Sequence, residues 1–182
     1  MLKVTKLDIE DVLVLEYEVK EDNRGVKQSY FSKRELEEVG INTEFVEEIL
    51  YCPTKKGTLY GIHFQNHPKA QTKLLYCTKG RGLDFAVDLR RNSKTYKKWV
   101  CVELSPENRK QIYIPSGFGH SFLSLEDDTN VVIKIDNYFD SKLQRAITFA
   151  DVELKIGFNI SNPILSEQDK NAPALKDSDC NL

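Results

Sequence analysis

Apolar and polar residues alternate with a period of two along much of this chain, the pattern of strands that bury one face. The clearest case is LDFAVDL (83–89), which puts Leu83, Phe85, Val87 and Leu89 on one face and Asp84, Ala86 and Asp88 on the other. Read this way, Asp84 and Asp88 point away from the core, as structural or solvated carboxylates. KLLYCTKGRGLDFAVDL reads as a hairpin turning at Lys79-Gly80-Arg81-Gly82. RRNSKTYKKWVCVEL continues the pattern after a turn near Asn92-Ser93, and its SKTYKK segment reads as solvated. QIYIP (111–115) is a short strand closed by proline. HSFLSL (120–125) and NVVIKID (130–136) predict a second hairpin across Glu126-Asp127-Asp128-Thr129, and RAITFA (145–150) one more strand.

A helix is predicted over SKRELEEVG (32–40), with Ser32 as N-cap, Glu35 at the capping-box position and Gly40 as terminator. From Ile156 onward the Asn, Pro, Ser and Asp content predicts an irregular tail, with disorder expected from Asp177. There are no repeats or low-complexity tracts. Many short strands at regular spacing in 182 residues predict one all-β domain spanning 1–182: a closed barrel or double-sheet jelly roll with one or two short helices.

Composition narrows the function classes. Hydrophobic residues are 40% and charged residues 30%, with a net charge of −2 and both signs interspersed. That balance gives no reason to expect general nucleic-acid or membrane binding, so an anionic ligand would need a local basic pocket. Cys52, Cys77, Cys101 and Cys180 form no CxxC pair and no zinc spacing, and Cys77 and Cys101 read as reduced core thiols. The N-terminal segment MLKVTKLDIEDVLVLEYEV has no uninterrupted apolar run, so no secretory signal is expected and the cytoplasm is the default compartment.

The candidate chemistry lies in GTLYGIHFQ (57–65) and Gln71-Thr72-Lys73. His63 is a potential base and Lys73 a potential electrophile, both in strand-like sequence. A base with a fixed cation is the minimum equipment for removing a proton next to a carbonyl. The chain has three histidines, His63, His67 and His120. His63-Phe64-Gln65 breaks the His-x-His pair of a cupin metal site, so no metal or other cofactor is expected.

Ordered motifs then accumulate: Asp22-Asn23-Arg24-Gly25, GTLYGIHFQ, QTKLL, FAVDLRRNSKTYKKW, LSPENRKQIYIPSGFGHSF and NPILSEQD. In that order and spacing, over roughly residues 20–177, they resemble the dTDP-4-dehydrorhamnose 3,5-epimerase family. DLRxxSxTxxxW through IPxGFxHxF is the most specific part. The resemblance implies a cupin-type jelly roll, a homodimer and cofactor-free chemistry on a nucleotide-diphosphate sugar of the 4-keto-6-deoxy class, in bacterial surface-polysaccharide biosynthesis. It also implies roles: His63 as base, Asp169 orienting it, Lys73 beside the keto oxygen, Arg24 on the diphosphate in the neighbouring subunit's pocket, and Gln65 and His120 in contact with substrate. The chemistry is self-consistent. A ketone at C4 acidifies C3–H and C5–H, and the enolate formed by losing either proton needs a donor such as Lys73.

The departures from the family are informative too. The family's LRGLH is Leu59-Tyr60-Gly61-Ile62-His63 here, so a ligand-contacting arginine is replaced by Tyr60. A family Gln and Asn fall on Glu47 and Ile49. The general-acid tyrosine of a YKxxxxY strand falls on Ile133, and the second tyrosine on Phe139, with Tyr138 one residue away as a candidate replacement acid. A one-residue slip in a strand turns a side chain to the other face, so Tyr138 needs a bulge to serve. Losing the acid leaves the base in place, and the expectation is epimerisation at C3 only. A 3,4-keto-isomerase and a non-catalytic sugar-nucleotide binder are the alternatives. The first lacks its expected histidine pair, and the second has no need of Lys73 and Asp169 together.

Overall fold

A computed structural model describes residues 2–182. In chain order, the strands are β1 (Lys3–Lys6), β2 (Leu13–Glu16), β3 (Val19–Asp22), β4 (Gly25–Gln28), β5 (Glu47–Tyr51), β6 (Leu59–Gln65) and β7 (Lys73–Lys79). They continue with β8 (Gly82–Asp88), β9 (Trp99–Leu104), β10 (Gln111–Ile114), β11 (Phe118–Ser124), β12 (Asn130–Ile135) and β13 (Gln144–Ile147). The helices are α1 (Lys33–Glu38) and α2 (Glu167–Lys170), with a 3-10 turn at Leu175–Asp177. One sheet has the order β1-β2-β10-β7-β12-β5, the other β13-β6-β11-β8-β9, and β3-β4 form a separate ribbon. Every strand pairing is antiparallel.

The two sheets face each other across one apolar cluster. Leu75, Ile112, Ile114, Val131 and Ile133 come from the six-stranded sheet, and Ala86, Val100, Val102, Phe118 and Phe122 from the five-stranded one. Each fully buried side chain of this kind stabilises by about 1.5–3 kcal/mol. This is the double-sheet jelly roll that the sequence predicts. The helix forms as predicted: Ser32 caps it by accepting from the Glu35 N–H at 3.3 Å, and Gly40 follows at a φ of +84°.

Both outer faces of the sandwich are also covered. Leu36 of α1 packs with Leu15, Tyr17, Ile41 and Leu74 outside the six-stranded sheet. Leu154, Phe158, Leu175 and Cys180 lie over Ile62, Phe85, Val87 and Leu89 outside the five-stranded sheet. This double cover corrects the reading of β8. Its apolar residues face the C-terminal segment, and Asp84 and Asp88, expected to point away from the core as structural or solvated carboxylates, are fully buried. In a sheet covered on both sides, alternation no longer reports exposure.

The same cover corrects the expectation of disorder from Asp177. Asp179 accepts from Arg145 Nε and Nη2 at 2.6 and 2.7 Å, the Asn181 N–H donates to Asn66 Oδ1 at 3.1 Å, and Cys180 is buried. The segment is held because its apolar side chains close a core. Two predicted hairpins are corrected as well. β7 and β8 lie in different sheets, as do β11 and β12, so both turns are crossings from sheet to sheet. The turns brace each other: the Leu125 N–H donates to the Arg81 carbonyl at 2.9 Å, and Arg81 pairs with Glu126 at 2.8 Å. A glycine turn serves a hairpin and a crossing equally, so local sequence does not separate them. β8 and β9 do pair as a hairpin.

All four cysteines are free thiols; burial pushes Cys77 up to about 12, and Cys101 likewise. No helix among the described residues is long and apolar enough to cross a membrane.

Asp88 ends β8 and locks the turn after it. It accepts from the Arg90 N–H and Nε at 3.0 and 2.9 Å, from Arg90 Nη2 at 2.8 Å, and from the Ser93 and Thr95 hydroxyls at 2.5 and 2.6 Å. Burial alone would raise its pKa, but these donors outweigh it and hold the carboxyl below the usual range. A carboxylate with a depressed folded pKa contributes stability above its unfolded pKa and loses it as pH falls. Asp88→Asn should therefore cost about 1.5–3 kcal/mol at pH 7, and the gap to wild type should narrow below about pH 4. Urea unfolding of both proteins at pH 7 and pH 3 measures this.

Candidate active site

Between the sheets is a cavity of about 110 Å³, lined by Ile49 and Tyr51 of β5, Tyr60, His63 and Phe64 of β6, Gln71, Lys73 of β7, His120 and Phe122 of β11, Val131, Ile133 and Ile135 of β12, Phe139 and Gln144. Strict alternation along β6 would send Tyr60 and His63 to opposite faces. A β-bulge prevents this: His120 of β11 pairs with His63 and Phe122 with Tyr60, so three steps on β6 match two on β11. The extra residue re-aims the strand, and both side chains enter the cavity.

His63 Nε2 lies 2.6 Å from Asp169 Oδ1. Asp169 sits on the one-turn helix α2 and is itself held, with Ser166 Oγ donating to its Oδ2 at 2.8 Å. Burial pushes the Asp169 carboxyl up, but the bonds and charge of His63, the Ser166 hydroxyl and the Gly61 N–H outweigh it and hold the group below its ordinary range. An ionised carboxylate only accepts, so Nε2 carries the proton and Nδ1 keeps the lone pair. Gly61 makes this approach possible. A Cβ there would lie 2.7 Å from Asp169 Oδ1 and 3.0 Å from its Cγ.

A second polar cluster forms the deep end. Lys73, Asp84 and His120 are all buried, and His120 Nε2 is 2.9 Å from Asp84 Oδ2. Burial lowers the Lys73 ammonium to about 8, opposed by the charge of Asp84. Burial raises Asp84, opposed by His120 and then Lys73. Burial also lowers His120, opposed by Asp84, while the charges of Lys73 and His63 add to the lowering. Asp84 Oδ1 has no hydrogen-bond partner among the described residues.

Of the residues the sequence singled out, His63, Lys73, His120, Tyr60 and Ile133 line the cavity, and Asp169 stands behind His63. Gln65 does not line it; its amide donates to the carbonyls of Lys69 and Tyr138, at 2.6 and 3.1 Å, and fixes that loop. Tyr138 is 65% exposed and outside the lining; it lies beyond the end of β12, whose register shift at Asn130/Val131 does not turn it in, and Phe139 lies at the cavity instead. Glu47 shares the strand face of Ile49 and Tyr51 but is exposed at the end of β5. Arg24 lies in the β3-β4 turn with 84% of its side chain exposed, paired to Asp22 at 2.6 Å. It does not enter the cavity of its own chain.

Sequence reasoning passed over Tyr51, Gln144 and Phe139 as cavity residues and misplaced Asp84. The signal for Asp84 was a carboxylate in the middle of an otherwise apolar strand. No group of three His, Cys, Asp or Glu among the described residues is arranged to hold a metal ion.

A jelly roll with a histidine–carboxylate pair and a buried lysine opening into its interior is the scaffold of a proton-transfer enzyme. The family model for dTDP-4-dehydrorhamnose 3,5-epimerase matches residues 6–177. The chain is 40% identical to the dTDP-4-dehydrorhamnose 3,5-epimerase of Shigella flexneri over 98% of each protein. It superposes on the Bacillus anthracis dTDP-4-dehydrorhamnose 3,5-epimerase crystallised with TDP and PPi bound, at a TM-score of 0.93 and 36% identity over 96% of this chain and all of that one. It is also similar to ChmJ, a 3'-monoepimerase from Streptomyces bikiniensis crystallised with dTDP-quinovose, at a TM-score of 0.86 and 29% identity over 94% of this chain and 87% of that one. The chain belongs to the dTDP-4-dehydrorhamnose 3,5-epimerase family, a family of isomerases.

The close approach at Gly61 is testable. Gly61→Ala should displace Asp169 and cost about 1–3 kcal/mol, the usual range for an overpacked site. Denaturant unfolding measures it; a stability equal to wild type would show that Asp169 has room to move.

Proposed function

We propose that this chain epimerises a nucleotide-linked 4-keto-6-deoxyhexose by abstracting the proton at C3, without cofactor and without inversion at C5. The observation that carries this reading is the 2.6 Å pairing of His63 with Asp169 at a cavity that also holds Lys73. His63 Nδ1 takes the C3 proton, and Asp169 steadies the imidazolium that forms. The negative charge moves to the C4 oxygen, where the Lys73 ammonium meets it inside a desolvated site. His120 lines the deep end beside Lys73.

The restriction to C3 follows from Ile133. It stands where the family motif carries its acid tyrosine, so proton return to the far face falls to a donor outside that position, which serves one inversion and not two. Relatives named for 3,5-epimerisation and for 3-epimerisation both match this chain, so the shared fold does not by itself set the scope. Names among the relatives make dTDP the first nucleotide to test.

The rest of the reading concerns context. The chain acts as one jelly-roll unit in a homodimer, and the β3-β4 ribbon carries Arg24 to the partner's pocket, to bind diphosphate there. The product feeds bacterial surface-polysaccharide assembly, O-antigen included, and the enzyme works in the cytoplasm, where nucleotide sugars are made.

In D₂O, a nucleotide-4-keto-6-deoxy sugar should take up one deuteron, at C3; uptake at C3 and C5 with a doubly inverted product would defeat the restriction. His63→Asn should slow C3 exchange by roughly a hundredfold to ten-thousandfold, and unchanged exchange would remove His63 from the mechanism. Turnover should fall as pH rises past about 8, where Lys73 loses the proton that makes it a cation. Lys73→Ala should cost roughly a hundredfold to a thousandfold at pH 7. Light scattering at micromolar concentration should give twice the chain mass; a monomer would exclude the shared pocket.

A further inference from the structure

We propose that Tyr51 delivers the proton to the ring face opposite His63, an assignment that rests on the epimerase reading above. Inversion at C3 needs a donor on the wall that confronts the base. His63 belongs to β6 of the five-stranded sheet, so the confronting wall is the six-stranded sheet. Its cavity-lining residues are Ile49, Tyr51, Lys73, Val131, Ile133 and Ile135. Two of these carry a transferable proton, Lys73 and Tyr51. Lys73 is engaged with the developing oxyanion, which leaves Tyr51.

The register places Tyr51 close to the position Ile133 leaves without a donor. On the β5–β12 ladder, Ile49 pairs with Ile133 and Tyr51 with Val131. Tyr51 is thus the diagonal neighbour of Ile133 on the same sheet face, a separation of about 7–8 Å that an aromatic side chain spans. The Tyr51 ring is braced edge-to-face by Tyr60, with centroids 5.0 Å apart and planes at 66°. Its hydroxyl has no hydrogen-bond partner among the described residues. Burial raises its pKa, followed by the charge of Glu47, so the phenol keeps its proton at neutral pH. Tyr60 lines the cavity too, but from the strand that carries His63, which is the base's own side.

The step balances without any further reactant. The C3–H bond breaks, its proton goes to His63 Nδ1, and its electrons form the enolate with charge on the C4 oxygen. The enolate electrons then bond C3 to the Tyr51 phenolic proton from the other face, the O–H bond breaks, and the ketone is restored. Tyr51 regains a proton from water as His63 releases one.

The test follows exchange and inversion separately by NMR in D₂O, using dTDP-4-dehydro-6-deoxyglucose, for wild type, Tyr51→Phe, Tyr60→Phe and His63→Asn. Tyr51→Phe should keep C3 exchange within about threefold of wild type while the inverted product falls at least a hundredfold, the loss of a general acid. Tyr60→Phe should lower exchange and inversion by the same factor and leave their ratio unchanged, which separates proton delivery from the packing of the aromatic pair. Inversion at the wild-type rate in Tyr51→Phe would overturn the assignment and leave the base reading standing. Equal loss of exchange and inversion in a Tyr51→Phe protein with wild-type melting temperature would also overturn it, by showing that Tyr51 only shapes the pocket. Undiminished exchange in His63→Asn would defeat the base reading instead.

Discussion

The pocket is organised around one fully buried carboxylate. Asp84 has no access to water, and an isolated charge in that position would cost several kcal/mol. The chain answers with His120 at 2.9 Å and the nearby Lys73 charge. Each member of this cluster is tolerable only because the others are present, and their opposing pulls leave Lys73 close to the edge of ionisation at neutral pH. The jelly roll supplies the low-dielectric interior that makes such coupling strong, and the coupling in turn keeps that interior from being filled with aliphatic side chains.

Around this centre the cavity is strongly sided. Its polar groups gather on β6, β7 and β11, where His63, Lys73 and His120 converge. The rest of the six-stranded sheet's lining, from β5 and β12 beyond Lys73, is built of Ile49, Val131, Ile133 and Ile135 with one phenol, Tyr51. In a pocket of this kind the hydroxyl groups of a sugar find most of their partners near His63, Lys73 and His120. The binding pose is therefore set by which edge of the sugar can go without hydrogen bonds, and a deoxygenated edge suits the aliphatic wall.

Much of this was legible in the sequence, and the failures have physical causes. Period-two alternation identified the strands from β7 to β13, and the capping pattern around Ser32 located α1, because both signals arise from local geometry. His63, Lys73, His120 and Asp169 were found through ordered motifs. What escaped depended on long-range packing. Nothing local tells a Gly80 turn within one sheet from a Gly80 turn between two. Asp84 read as structural or solvated because its neighbours satisfied one face, and the second covering layer comes from residues near 154–180. Tyr60 and His63 share a cavity only because β6 carries a bulge, which is a property of its pairing with β11. Tyr51 drew no notice because its partners, Val131 and Tyr60, lie on elements remote in sequence.

The distance along the chain between His63 and Asp169, 106 residues, has a consequence for how activity arises in time. The proposed base, His63, is synthesised in the first half of the chain, and the carboxylate paired with it lies on a one-turn helix close to the end. Contacts of this span form late, since a long loop must close before they contribute. During synthesis the sandwich can begin to assemble around an unarmed histidine. On the proposed mechanism, proton abstraction becomes possible only after the C-terminal segment has been made and has docked over the five-stranded sheet. On that mechanism catalytic competence is thus a readout of completed folding, and a chain cut short before residue 169 would carry every strand and His63 but not the carboxylate that pairs with it.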